Sequence, residues 1–307
     1  MADQHTALPQ FPIVDAHQHF WDLTRNYYPW LCDREPIPFR YGDYSAIRRN
    51  YLPPDLRRDS AGLDLRMTVH MEAEWDRADP VAETRWLESL NAATGLPTAC
   101  IGHAEFERDN IADVLARHAA SPLMRGIRQK PAAASSAAEA KRGQPGSMDD
   151  PAWRKGYALL ERHGLSYDLQ TPWWHLDAAA ELAADFPRTT IIINHTGLPA
   201  DRSAEGLAAW RAALERVASQ GNVAIKISGL GQRGLPWTVE ANGPIIRDTI
   251  AIFSAERCLF ASNYPVDSLA GSYRDIFAGF YAAVADRSEA DQRKLFHDNA
   301  VRLYRLA

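Results

Sequence analysis

Side chains that can carry a hydrolytic reaction recur at the ends of short apolar runs. His17-Gln18-His19 ends the run that begins at Ile13, and alternation along an extended chain sends both imidazoles to one face. Two nitrogens converging there suit two ligands of a divalent metal, or two neutral donors around a substrate oxygen. His195 follows Ile191-Ile192-Ile193-Asn194, and Asn263 follows Ala261-Ser262, each closing another such run. A lone histidine at a strand end is more often structural, but three at the same end of neighbouring strands favour a common site. His70, Glu72 and Glu74 share one parity after the second run, which points them the same way, and a glutamate buried among apolar walls has a raised pKa suited to acid–base work. The plainer alternative leaves Glu74 in solvent and pairs Glu72 with Arg66 or Arg128. Arg128, after Gly126-Ile127, has the planar fork that captures a carboxylate through two hydrogen bonds, unless it turns inward to Asp168 or Glu72. Lys226 and Ser228 share one face of a later run and are weaker candidates for the same anion-binding task. Gln170 closes the fifth run and Trp21 opens an aromatic loop, both as substrate contacts. Asp267, four residues past Asn263, either turns back into the site or caps the segment that follows.

The elements that must position these groups alternate regularly. Strand-like runs cover residues 13–19, 65–73, 98–104, 123–129, 166–170, 190–194, 223–228 and 258–262. Between them lie segments of helical period at 81–93, 111–119, 153–162, 177–185, 207–220 and 245–253, with two more after the last strand. Such alternation implies a parallel sheet with helical crossovers, and eight units without a shift of composition favour a closed (β/α)8 TIM barrel over an open doubly wound sheet. Residues 1–11 read as an N-terminal extension and 12–307 as one domain. Two segments break the rhythm. Residues 20–44 are rich in aromatics and proline directly after the first strand, where barrels build substrate walls; the alternative is a hydrophobic cluster covering that end. Residues 131–150, rich in Ala, Ser and Gly, are either a lid or a plain excursion.

The 307 residues include 34 Lys and Arg against 39 Asp and Glu, a formal charge of −5 that offers no basic excess to neutralise a phosphate backbone, so no nucleic-acid partner is expected. No apolar stretch approaches a membrane span, and the polar first ten residues lack the apolar core of a secretory signal, so a cytoplasmic protein with no membrane partner is expected. Cys32, Cys100 and Cys258 are odd in number and far apart, as reduced core thiols would be. A homodimer is compatible with a barrel of this size, although nothing in the sequence locates an interface.

The combination Val14-Asp15-Ala16-His17-Gln18-His19-Phe20-Trp21, Gly126-Ile127-Arg128, Ile193-Asn194-His195-Thr196-Gly197, Lys226-Ile227-Ser228-Gly229-Leu230 and Ser262-Asn263-Tyr264-Pro265-Val266 resembles the amidohydrolase-related superfamily. It is most similar to the branch of TIM-barrel hydrolases that includes sugar-acid lactonases and the pyrone dicarboxylate lactonase. The likeness runs from Pro12 to Leu306 and includes Phe296-His297-Asp298-Asn299-Ala300. It implies an amidohydrolase-like barrel that acts on a small, anionic substrate. Two departures stand out. Metal-dependent members place a histidine after the fifth strand, where this chain has Tyr167-Asp168-Leu169-Gln170, and an aspartate base after the eighth, where it has Asn263.

The leading expectation is hydrolysis of a lactone or related cyclic ester of a carboxylic or sugar acid. His17, His19 and His195 would polarise the carbonyl, either directly or through one zinc or manganese ion that they ligate. Glu72 or Asn263 would handle the attacking water, and Arg128, Lys226, Gln170, Trp21 and Asp267 would hold the substrate. One alternative on the same fold is a decarboxylase or hydratase of an unsaturated or aromatic acid. Another is a non-catalytic binding protein that lost its aspartate base at Asn263.

Overall fold

In the computed structural model, which describes residues 8–306, every expected run becomes a strand: β1 (Ile13–Gln18), β2 (Leu65–Met71), β3 (Ala99–Gly102), β4 (Met124–Ile127), β5 (Ser166–Leu169), β6 (Ile191–Ile193), β7 (Val223–Ile227) and β8 (Cys258–Phe260). Residues 1–7 of the expected N-terminal extension, and Ala307, lie outside the described residues. The strands pair in parallel and in chain order. The first and last meet just beyond the strand ends, where the Asn263 N–H donates to the His17 carbonyl and the His19 N–H to the Tyr264 carbonyl, each at 2.8 Å. The sheet thus closes into a (β/α)8 barrel, and the closing bonds fall among the candidate site residues.

Helices cover the barrel where the periodicity places them, for example at Ala82–Thr94, Ile111–Ala119, Leu176–Asp185 and Ala204–Ala218. Their starts follow capping chemistry. Ser203, Thr238 and Ser272 each accept a hydrogen bond from the backbone N–H three residues on, which satisfies a donor the helix cannot. The helix expected from residue 245 begins at Val239 instead, because Thr238 caps it and Pro244 is carried inside. The 153–162 segment is two helices, Pro151–Tyr157 and Leu159–Arg162.

The strands bury both faces. Val14, Ala16, Val69, Met71, Ile101 and Leu259 pack inside the barrel with Tyr304 and Leu306 from the chain's end, while Ile13, Cys100, Tyr167, Ile225 and Phe260 pack against the helices. Gly126 on β4 permits this closeness, since a Cβ there would lie 2.2 Å from Ser166 Oγ. All three cysteines are free thiols, with Cys100 and Cys258 buried. Among the described residues no helix is long and apolar enough to cross a membrane.

Candidate active site

Strict alternation from Val14 and Ala16 would send His17 and His19 out of the barrel. The pairing of β1 with β2 corrects this: Asp15 opposes Thr68 and Gln18 opposes His70, three steps on one strand against two on the other. One extra residue in β1 resets its parity. Asp15 and Gln18 then face outward, and His17, His19 and His195 gather inside, with ring centroids of His17 5.1 Å from His19 and 4.6 Å from His195. The Asp15 carboxylate holds the bulge. It accepts from the His17 N–H at 3.2 Å, from Ser262 N–H and Oγ at 2.9 and 2.6 Å, and from the Tyr273 hydroxyl at 2.9 Å.

Each histidine is neutral. Burial holds all three pKa values well below the ordinary range, helped by His195 and Lys226 around His17, by Arg128 around His19, and by Arg40 and Arg128 around His195. The His19 Nδ1 lies 2.7 Å from the Met71 carbonyl, which can only accept, so Nδ1 carries the proton and Nε2 presents a lone pair. That Nε2 faces Asn263 Oδ1 at 3.4 Å. The Asn263 amide is oriented from behind, because its Nδ2 donates to Asp267 Oδ1 at 2.6 Å. Two acceptors thus face one another across a gap that only a proton donor can bridge. Asp267 also accepts from the Tyr41 hydroxyl at 2.8 Å, and burial pushes its pKa up to about 6. His195 and Asn263 both sit at positive φ, 56° and 55°, a conformation that turns their side chains into the mouth. His195 Nδ1 is 2.9 Å from Ser228 Oγ, so Ser228 orients a histidine and is not an anion contact. Gly229 leaves room for this, as a Cβ there would come within 2.5 Å of the His195 ring and 2.7 Å of Arg40.

Above the histidines opens a cavity of about 500 Å3, lined among others by His19, His195, Asn263, Arg128, Gln170 and Arg40. Arg128 is there as expected, but three of its N–H groups are engaged: Nε on Glu72 Oε1 at 2.8 Å, Nη2 on the Glu72 carbonyl at 2.5 Å and Nη1 on Gln170 Oε1 at 3.1 Å. With five N–H donors on a guanidinium, two remain for a ligand. Several expectations are corrected. His70, Glu72 and Glu74 do not point together, because alternation ends with β2 at Met71: His70 turns outward to Glu83, 3.2 Å away, and Glu72 turns to Arg128. Glu72 is no raised-pKa acid either; burial pushes it up, but Arg128, Lys130 and Arg77 outweigh that and hold it well below the usual range. It acts as the anchor of Arg128. Trp21 is fully buried behind His19, stacked on it at 6.2 Å with its Nε1 on the Arg49 carbonyl, so it does not touch the cavity. Lys226 lies beneath the floor, fully buried, 2.8 Å from Asp168 Oδ1, which also accepts from Tyr304 at 2.9 Å. Burial lowers its pKa to about 8, and it reaches no ligand. Asp267 stands behind Asn263 and not in the cavity wall.

The 20–44 loop does form a wall, but through residues other than the expected Trp21. They are Trp30, Ile37, Phe39 and above all Arg40, whose Nη1 donates to the Gly229 carbonyl at 3.2 Å and whose Nη2 lies 3.7 Å from Asp267. Nothing in local pattern distinguishes Arg40 from the other arginines of that segment; it matters because the loop folds across to β7.

The donor chemistry of the three histidines suits a divalent metal in part, since both ring nitrogens of His17 are buried without a partner and His19 offers a lone pair held in place by a carbonyl behind it. The arrangement does not. Among the described residues, no group of three or more His, Cys, Asp or Glu side chains is gathered closely enough to hold an ion, and the missing strand-end ligands leave Asn263 and Gln170 in their place.

These features define an amidohydrolase-type barrel. Residues 14–306 match the family model described as amidohydrolase, and the chain belongs to that family. An uncharacterized protein from Sinorhizobium fredii is 40% identical over 96% of this chain and 98% of its own length. An L-fucono-1,5-lactonase from Burkholderia ambifaria is 28% identical over 95% of both chains. The crystal structure of an amidohydrolase from Burkholderia multivorans with bound HEPES superposes with a TM-score of 0.78 at 25% identity, covering 97% of this chain and all of its own; a zinc-bound crystal form of it gives the same score at 24% identity.

Removing Arg128 takes its nearest cation from a buried carboxylate, since the two side chains are 3% and 1% exposed, and leaves only Arg77 at 3.4 Å as a charged partner. The Arg128→Met variant is therefore expected to lose about 3–5 kcal/mol of stability in chemical denaturation. A loss below about 1 kcal/mol would show that Arg77 suffices to hold Glu72.

Proposed function

We propose that the protein hydrolyses a lactone or related cyclic ester of a sugar or carboxylic acid, with its own side chains and not a metal ion doing the chemistry. The observation that carries this reading is the pair of opposed acceptors, His19 Nε2 and Asn263 Oδ1, 3.4 Å apart at the cavity floor. A water seated over the pair, on the cavity side, would donate one proton to each, leaving an oxygen lone pair free to attack a carbonyl held above. As the new C–O bond forms, His19 Nε2 takes the water's proton; the tetrahedral oxyanion is met by the spare N–H groups of Arg128 and by Arg40. When the ring C–O bond breaks, the proton passes from His19 to the departing alkoxide, and the product is a hydroxy acid. For His19 this revises the expectation that the histidines polarise the carbonyl, because its Nε2 has no proton to offer. It also gives Asn263 a task that an amide can perform, which argues against a decayed binding protein.

Arg40, Arg77, Arg128 and Lys130 face the cavity against Glu74 alone, which favours an anionic or oxygen-rich substrate and a carboxylate product. The L-fucono-1,5-lactonase relative supports a lactone as the substrate class. The zinc in the related crystal structure supports metal chemistry in that protein, whereas here the neighbours of the histidines at the mouth are the amides Asn263 and Gln170.

In a screen of sugar-acid 1,5-lactones followed by pH indicator, at least one is expected to open at a rate unchanged by dialysis against EDTA; a loss of more than tenfold on dialysis, restored by zinc, would overturn the metal-free mechanism.

Asp267 must be ionised to fix the Asn263 amide, so kcat/KM is expected to fall as pH drops through about 6. The Asp267→Asn variant, which mimics the protonated acid at every pH, should run at the low-pH rate throughout with that limb gone; a limb that persists would assign it to another group.

Asn263→Asp would set a second carboxylate against Asp267, where Nδ2 now lies 2.6 Å from Oδ1. Two carboxylates that close share one proton. Activity at pH 7 is expected to fall at least tenfold, and a rise would instead mark the asparagine as a damaged base.

A further inference from the structure

A second cavity, of about 830 Å3, adjoins the first at the barrel mouth. Glu74, Arg77 and Lys130 line both, so one partition of ion-paired side chains separates them: Glu74 bridges Arg77 and Lys130. The outer wall is formed by residues 143–151 of the excursion after β4 and by Trp153. At the inner wall stands His103, one residue past β3 and 7% exposed. Its Nδ1 lies 3.1 Å from the Arg128 carbonyl, which only accepts, so Nδ1 holds the proton and Nε2 presents a lone pair. That Nε2 is buried and has no partner among the described residues. A buried acceptor left without a donor is costly, and a cavity beside it invites a ligand that brings an O–H.

The carboxylates around this cavity are already engaged. Glu74 is held by Arg77 and Lys130, Glu107 accepts from Gln129 Nε2 at 2.8 Å, Asp149 accepts from the Gly143 N–H at 2.8 Å and Ser147 Oγ at 2.5 Å, Asp150 accepts from the Trp153 N–H at 2.8 Å, and Glu105 pairs with Arg108. Five carboxylates line the cavity against two cations, Arg77 and Lys130, so an anionic ligand would be repelled. Apolar surface from Pro131, Pro145 and Trp153 lies among these polar atoms. A ring with carbon–hydrogen faces and a rim of hydroxyls matches that mixture, and an anionic ligand does not.

We propose that the second cavity is a binding subsite for a neutral polyhydroxylated ring, a sugar residue attached to the lactone that is opened in the first cavity. The inference rests on the lactonase reading and narrows it: the substrate is a lactone carrying a glycosyl substituent, whose linkage passes the Glu74–Arg77–Lys130 partition. His103 accepts a hydroxyl of the outer ring, and residues 143–151 cover it.

Cellobiono-1,5-lactone and D-glucono-1,5-lactone present the same reacting ring with and without an outer sugar. Wild type is expected to open the first with kcat/KM at least tenfold higher. Ala132→Trp, which fills the subsite from its loop wall, and His103→Ala should each erase that advantage while leaving the rate on the single-ring lactone within twofold. Equal rates in wild type, or equal losses on both lactones, would overturn the subsite. If wild type opens neither these two nor any other lactone of the screen, the lactonase reading fails by itself, and calorimetric titration with cellobiose then decides the subsite: saturable binding that Ala132→Trp abolishes supports it, and absence of binding to wild type overturns it.

Discussion

The Asp15 carboxylate joins the two ends of the sheet, and the site exists because of that join. Taking a carboxylate out of water is costly, and burial raises its pKa here. Its four donors, from His17, Ser262 and Tyr273, offset that cost only in one arrangement, with β1 bulged and drawn against the end of β8. That arrangement turns His17 and His19 inward and brings Asn263 opposite His19. Closure of the barrel and assembly of the reacting groups are therefore one event.

A second constraint is electrostatic. Three buried histidines lie near Arg128, Arg40 and Lys226, and a further positive charge there would be expensive, so the imidazoles stay neutral at the pH of ordinary solution. The two cations within the barrel are each held by a buried acid, Glu72 for Arg128 and Asp168 for Lys226. Such pairs contribute little net stability but are strongly destabilising when halved, which makes them fixers of geometry. The Asp168–Lys226–Tyr304 group ties the chain's last helix, Asn299–Tyr304, to the barrel interior beneath the histidines.

The long connections after β1 and β4 shape what the barrel can bind. The first carries Trp30, Phe39 and Arg40 across the mouth, anchored by Tyr41 on Asp267 and by Arg40 on Gly229. The second, residues 131–150, folds over the ends of β3 and β4 and encloses a separate cavity. Cationic side chains dominate one cavity and satisfied polar groups the other, so neighbouring regions of the same mouth favour different chemistry.

All eight strands, most of the helices and the three histidines were legible from sequence, because period-two and period-3.6 burial is a local property and strand ends in a parallel barrel share one face. His17 and His19 were correctly placed together, as residues two apart must be. Which way they face was not local: it depends on one residue of slippage against β2. Glu72 was left open between a catalytic acid and a partner of Arg66 or Arg128, and only the fold selects Arg128, which is 56 residues away in sequence. Trp21 and Lys226 were taken for ligand contacts on residue type and position, yet they fill space behind and below the site. Arg40 emerged only when distant loops were brought into contact, whereas the Asn263–Asp267 pair spans four residues of one loop and was among the readings that local sequence left open. Sequence by itself determined the barrel, its family and the residue types at its mouth. Tertiary structure alone decided which of them face the cavity, which tautomer His19 holds and which acids are spent on holding arginines, because each depends on a partner that the chain supplies from far away.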